Sequence, residues 1–205
     1  MIKIDLRLVT ERKLNIGSGG IAPKIKAEVP IMSIRDFSGS DNILIPGSTI
    51  KGVLRTSLIK ISSLLGYDYV THTINPDDKI GDDIVTKLFG KPNDNVQSKI
   101  SVGSVMVKAR TETLTHVRIS DDTRTAERGN LFSVEYLPIG YIIDLTIEAR
   151  DLSIEEARAL TAAIANLRYE RIGRSGIVDV KIRDSYGFEK YLLDPVIKEI
   201  YNSLR

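Results

Sequence analysis

The chain has 205 residues, 42% hydrophobic and 27% charged, with a net charge of +2 at pH 7. These are the proportions of an ordinary globular protein, and the near-neutral balance excludes a global polyanion-binding charge, so any nucleic-acid site must be a local patch. There is no cysteine, which excludes disulfides, thiolate–zinc sites and thiol nucleophiles, and no apolar run approaches the ~20 residues that cross a bilayer.

In chain order, "IKIDLRLV" places Ile2, Ile4, Leu6 and Leu8 on one face and predicts a half-buried strand. This alternation is unlike the continuous apolar stretch of a signal peptide, and points to a cytoplasmic protein without a membrane partner. A glycine-rich loop follows, and "AEVPIMSI" reads as an edge strand because Pro30 cannot donate to a ladder. Ser48, after Pro46 and Gly47, is a candidate N-cap. From there Ile50, Val53, Leu54, Leu58, Ile61, Leu64 and Leu65 recur at helical spacing until Gly66. Between about 67 and 99 periodicity is lost except for a short helix near "DIVTKLFG", as in a functional insertion. "ISVGSVMVK" predicts a strand, and the charged, turn-prone segment from Thr115 to Gly140 predicts a protruding hairpin. "YIIDLTIEA" alternates with Tyr141, Ile143, Leu145 and Ile147 on one face. Ser153 and Glu156 form an S-x-x-E capping box before a helix with Ala157, Leu160, Ile164 and Leu167 inward, ended by Gly173. "IVDVKI" is a further strand, and Asp194 with Pro195 opens a terminal helix. The order predicts one α+β domain over residues 1–205, with a split β-α-β, ferredoxin-like sheet and long insertions.

One helix start is chemically unusual. Lys51 and Arg55 lie four residues apart near the positive end of the helix dipole, where acids are preferred. Free N–H groups there favour an anion, Gly47 and Ser48 admit close approach, and two cations on adjacent turns suit one phosphate or two successive ones. Gly52 costs ~1 kcal/mol against alanine in a helix interior and suggests that another backbone comes close. Solvated surface cations on a capped helix remain the alternative. The segment lacks the spacing of a Walker P-loop.

"IPGSTIKGVLR" resembles the signature of the RAMP superfamily, the RNA-binding subunits of CRISPR effector complexes, written PGS-x-x-KG-x-x-R; Pro46, Gly47, Ser48, Lys51, Gly52 and Arg55 all match. "LFG" at Leu88–Gly90, and Leu131, Phe132, Glu135 and Gly140, are similar to later segments of type III backbone subunits of the Csm and Cmr complexes. The resemblance runs from about Leu14 to Ile182. It implies a subunit that stacks along a guide RNA (crRNA) facing target RNA, with neighbouring RAMP and other type III subunits as partners. It implies that the PGS-x-x-KG helix holds guide phosphates, and that a β-hairpin thumb at about 112–130 enters between bases. Arg118, Arg124 and Arg128 on that thumb are then RNA-contact candidates, with a solvated flap balanced by Asp121, Asp122 and Glu127 as the alternative. Arg171 and Arg174 flank the turn at Gly173 and Gly176, where the family has a longer glycine-rich loop; Val178 stands in the place of a further glycine.

Related subunits cut target RNA with an aspartate in a D-x-P-[IV] pattern and a divalent metal, Mg or Mn. Here "EVPIM" puts Glu28 in that position, so the resemblance implies Glu28 as the catalytic candidate, with a metal needed only in that case. His72 and His116 are the residues of a metal-free alternative, general acid–base cleavage by a stand-alone guide-processing nuclease. A structural subunit with little RNA contact is the remaining reading.

Overall fold

The structure is a computed structural model that describes residues 1–17, 27–35, 41–67, 70, 83–91 and 97–205, the side chains of 41, 127 and 128 excepted. Its main sheet has four antiparallel strands: β1 (Ile2–Thr10), β4 (Ile100–Val102), β8 (Ile142–Ala149) and β9 (Val178–Tyr186), in the order β4-β8-β1-β9. Helix α1 (Gly47–Ile61) connects β1 to β4, and α3 (Ile154–Asn166) connects β8 to β9. Strand, helix, two strands, helix, strand in this spatial order is the ferredoxin-like arrangement that the sequence predicts.

Alternation explains the layering. Ile2, Ile4, Leu6 and Leu8 of β1 and Ile143, Leu145 and Ile147 of β8 are buried in the core shared with Ile50, Leu54 and Leu58 of α1 and Leu160 and Ile164 of α3. Each such side chain contributes about 1.5–3 kcal/mol on burial. The opposite face carries charge. Arg7 and Asp144 are cross-strand partners joined by two bonds of 2.8 Å, Arg183 reaches the same carboxylate at 3.0 Å, and Lys3 pairs with Glu148 at 2.9 Å. Arg7 holds the Asp144 carboxyl below the usual carboxylate range.

A second sheet is formed by β2 (Ser33–Arg35), β3 (Asp41–Ile45) and β5 (Val105–Val107), with β3 central. The hairpin pairs β6 (Glu112–Ile119) with β7 (Ala126–Tyr136). Short helix α2 (Ile84–Phe89) is capped by Asp83, which accepts from Val85 N–H at 2.8 Å and Thr86 N–H at 3.0 Å. Helix α4 (Pro195–Ser203) starts at Asp194 and Pro195 as the sequence requires, and α3 has the full Ser153–Glu156 capping box.

Several expectations change. "ISVGSVMVK" is not one strand: it breaks at Gly103–Ser104 into β4 and β5, which pair in different sheets. Helix α1 ends at Ile61 and tightens into a 3-10 turn over Ser62–Leu65, which turns Leu64 out to 84% exposure. The second long helix tightens in the same way over Leu167–Tyr169, so Gly173 lies in the following loop rather than ending it. Of "AEVPIMSI" only Ser33 and Ile34 are in β2, while Val29 forms a parallel bridge to Val134 of the hairpin. Most of the stretch from 67 to 99, including His72, lies outside the described residues.

Candidate nucleic-acid interface

Strand β3 delivers the chain to Pro46, whose extended backbone (φ −64°, ψ 132°) stops the strand. Its carbonyl accepts from the Thr49 N–H at 3.0 Å and the Ile50 N–H at 3.5 Å, so α1 begins at Gly47. Ser48 is therefore not the N-cap but a first-turn residue; the cap position is Pro46, which has no side-chain bond to give. This corrects the capping expectation and leaves the exposed Ser48 hydroxyl out of helix capping.

Gly47 serves packing rather than ligand approach. A Cβ there would stand 1.9 Å from the Val102 carbonyl oxygen, so the helix start is wedged against the β4–β5 corner. The Gly47 N–H is also taken, donating to Ser104 Oγ at 3.1 Å. Among the described residues, the Ser48 N–H is the one of the first three helix donors left without a partner. Gly52 is exposed, and among the described residues no protein backbone or side chain lies within 4 Å of where its Cβ would be. Its open side faces outward.

Ser48, Lys51, Gly52 and Arg55 share one face of α1 by helical spacing. The first turn contains no acid. Lys51 and Arg55 are half-buried, and among the described residues neither has a carboxylate within ion-pair distance. Burial pushes the Lys51 ammonium below the usual lysine range and lowers Arg55 as well, partly offset by the more distant charge of Asp83. Two partly desolvated cations, without an ion-paired carboxylate among the described residues, at the positive end of a helix are an arrangement that suits an anion.

The other cations sit elsewhere. Arg171 and Arg174 are exposed on a loop held by backbone bonds: Arg174 N–H to the Asn15 carbonyl at 2.7 Å, Asn15 N–H to the Arg174 carbonyl at 3.3 Å, and Ile172 N–H to Gly176 at 2.9 Å. Gly173 (φ +57°) and Ser175 (φ +64°) flank Arg174 in left-handed backbone, and a Cβ on Gly173 would meet the Asn15 carbonyl oxygen at 2.2 Å. Arg118 is exposed on β6, and Arg124 is exposed at the hairpin tip with φ +53°. The Arg128 backbone belongs to β7, and its side chain lies outside the described residues. Backbone bonds link the groups: Met32 N–H donates to Ile16 and Leu44 N–H to Met32, tying the Asn15 segment to β3 and so to α1.

Glu28 is occupied structurally. Its Oε2 accepts from the Ser133 N–H at 2.9 Å, and its own N–H donates to Ser133 Oγ at 3.0 Å, so it fastens the Val29 segment to the hairpin. His116 stacks on Phe132 with centroids 5.4 Å apart and bonds Tyr136 Oη at 3.1 Å. Among the described residues, no three His, Asp or Glu side chains form a metal-holding group. Glu28 therefore stands among the described residues as a single exposed carboxylate with Oε2 bonded to Ser133.

Two residues that sequence reading left without a structural role matter here. Asn15, 2% exposed between Leu14 and Ile16, is betrayed only by being polar inside an apolar run; Ser104 carries no signal, since its role depends on the β4–β5 break.

The model of the RAMP superfamily matches residues 7–177. A similar solved chain comes from a type III-B Cmr-beta structure determined by cryo-electron microscopy in the apo state. It superposes with a TM-score of 0.61 at 13% identity, covering 89% of this chain and 97% of that one. At that identity the likeness concerns the fold. No curated protein matches the sequence. With a family model spanning most of the chain, and the motif's Ser48, Lys51, Gly52 and Arg55 sharing one face of α1, this chain belongs to the RAMP superfamily.

Proposed function

We propose that this chain is a guide-RNA-binding backbone subunit of a type III CRISPR complex. Membership of the RAMP superfamily and the fold shared with a type III-B Cmr-beta chain support the setting. The observation that carries the reading is the pair Lys51 and Arg55: half-buried, lowered in pKa by burial, and lacking a carboxylate partner among the described residues. A cation held partly out of water without an internal partner is stabilised by an external anion. Successive phosphates of a single strand lie on the Ser48–Arg55 face, with Gly52 letting the RNA backbone approach. Arg171 and Arg174 extend the cationic path, and the β6–β7 hairpin displaces bases. Neighbouring subunits pack alongside. The mechanism is positional, with Glu28 Oε2 fastening the Val29 segment to the hairpin at Ser133.

The test is co-expression with a guide RNA and partner subunits, followed by extraction of the bound RNA. The wild-type assembly carries RNA of discrete length, and Lys51→Ala/Arg55→Ala carries markedly less at equal protein recovery. Equal RNA in both refutes the α1 site, and cleavage of free repeat RNA by the isolated chain favours the stand-alone nuclease.

A further inference from the structure

Glu135 stands on β7 at the root of the hairpin, 7% exposed, and each of its polar groups is used. Its carboxyl oxygens accept from the Ile31 N–H at 3.1 Å and from the Thr111 hydroxyl. Its N–H donates to the Val29 carbonyl at 3.1 Å, and its carbonyl accepts from Asn15 Nδ2 at 2.7 Å. One residue thereby joins β7 to three other segments: Val29–Ile31, the lead into β6 at Thr111, and the stretch around Asn15. Asn15 in turn holds the Arg174 backbone from both sides, with Gly173 in close contact.

A buried acid is a costly way to fill space, since an apolar residue of similar volume packs without desolvation. What it supplies that an apolar residue does not is direction: two acceptors at a fixed angle, each tied to a different segment. The chain Thr111–Glu135–Asn15–Arg174 runs unbroken from the hairpin to the arginine loop.

We propose that Asn15 and Glu135 form a buried joint that fixes the β6–β7 hairpin against the loop bearing Arg171 and Arg174, so that the two meet one RNA strand at a set spacing. The RNA half of this statement rests on the function proposed above; the joint itself does not. Both residues are positioning residues.

Amide hydrogen exchange on the free, full chain tests the joint. Glu135→Ala keeps the backbone carbonyl that holds Asn15 Nδ2 but removes the ties of β7 to Ile31 and Thr111. The Arg174 amide then exchanges faster by severalfold to about tenfold through the loosened joint, while α3 amides keep their wild-type rates. Glu135→Gln, which retains an acceptor for Ile31 and a partner for Thr111, restores slow exchange. Faster exchange confined to Ile31 and the hairpin, or no rescue by Gln, overturns the joint. If Glu135→Ala unfolds, Thr111→Val deletes a single bond and reads the same transmission. The spacing is read with a single-stranded RNA carrying 2-aminopurine at successive positions. Wild type and Glu135→Gln raise its fluorescence at one position, and Glu135→Ala spreads the rise over several. No binding by wild type overturns the RNA reading; a sharp signal that survives Glu135→Ala overturns the joint alone.

Discussion

Gly47→Ala and Gly52→Ala place the same methyl group on the same helix and should move stability in opposite directions. At Gly47 the new Cβ would lie 1.9 Å from the Val102 carbonyl oxygen, 2.7 Å from the Val102 carbonyl carbon and 2.8 Å from the Gly103 carbonyl carbon. All three are backbone atoms, so no side-chain rotation relieves the contact. The β4–β5 corner must retreat by about 1.5 Å to regain ordinary contact at 3.4 Å, taking Ser104 Oγ away from the Gly47 N–H. Overpacking of this kind costs about 1–3 kcal/mol and the lost hydrogen bond about 1 more. Alanine returns about 1 kcal/mol in helix propensity and unfolded-state entropy. The net expectation for Gly47→Ala is a loss of about 2 kcal/mol. At Gly52 nothing lies within 4 Å, so only the favourable part operates, a gain of about 0.5–1 kcal/mol. Urea unfolding reads both as shifts in midpoint at unchanged slope. A Gly47→Ala protein as stable as wild type, or a common sign for the two, would refute the wedge geometry.

The remaining expectations concern packing and protonation. Ser57 is buried between the long helices, donating to the Ala163 carbonyl at 2.9 Å and accepting from Asn166 Nδ2 at 3.0 Å, so Ser57→Ala should cost about 1–3 kcal/mol in urea unfolding; a neutral result contradicts the assigned bonds. The Asp144 carboxyl is held low by Arg7, so its stabilisation is complete above the ordinary carboxylate range and disappears as pH falls through its lowered value. The midpoint difference between wild type and Asp144→Asn should therefore be constant near neutrality and vanish in acid; one that persists in strong acid contradicts the Arg7–Asp144 assignment. Burial lowers the Lys51 pKa, so RNA affinity should weaken as pH rises toward the ordinary lysine value, sooner than for an exposed lysine, and Lys51→Arg should flatten that decline in fluorescence anisotropy. An identical decline in both proteins places the titrating group elsewhere.

Local rules were legible wherever the determinant lies within a few residues. The Ser153–Glu156 capping box, the Asp194–Pro195 helix start and the alternation in β1 and β8 are short-range facts, and the ferredoxin-like order follows once they are placed. The misreadings share a cause, since each depends on a partner distant in sequence. Val102 and Val105 read as one strand, because periodicity reports which face is buried and not which strand is the neighbour. Ser48 fits a cap by composition, but the Pro46 carbonyl starts the helix two residues earlier, and Gly47 is needed there because of Val102. The cation spacing on α1 is visible in sequence, while its half-burial is not. The link from Asn15 to Glu135 spans 120 residues, beyond the reach of any local pattern.

The central claim is that Lys51 and Arg55 grip RNA phosphates. Its most direct measurement is binding of single-stranded RNA across a salt series, for wild type and Lys51→Ala/Arg55→Ala. Each phosphate contact on a single strand contributes roughly 0.7 to the slope of log affinity against log salt. Loss of both contacts should weaken binding and make the slope shallower by about 1.4. Equal affinity and equal slope in the two proteins would contradict the account and move the phosphate site off α1.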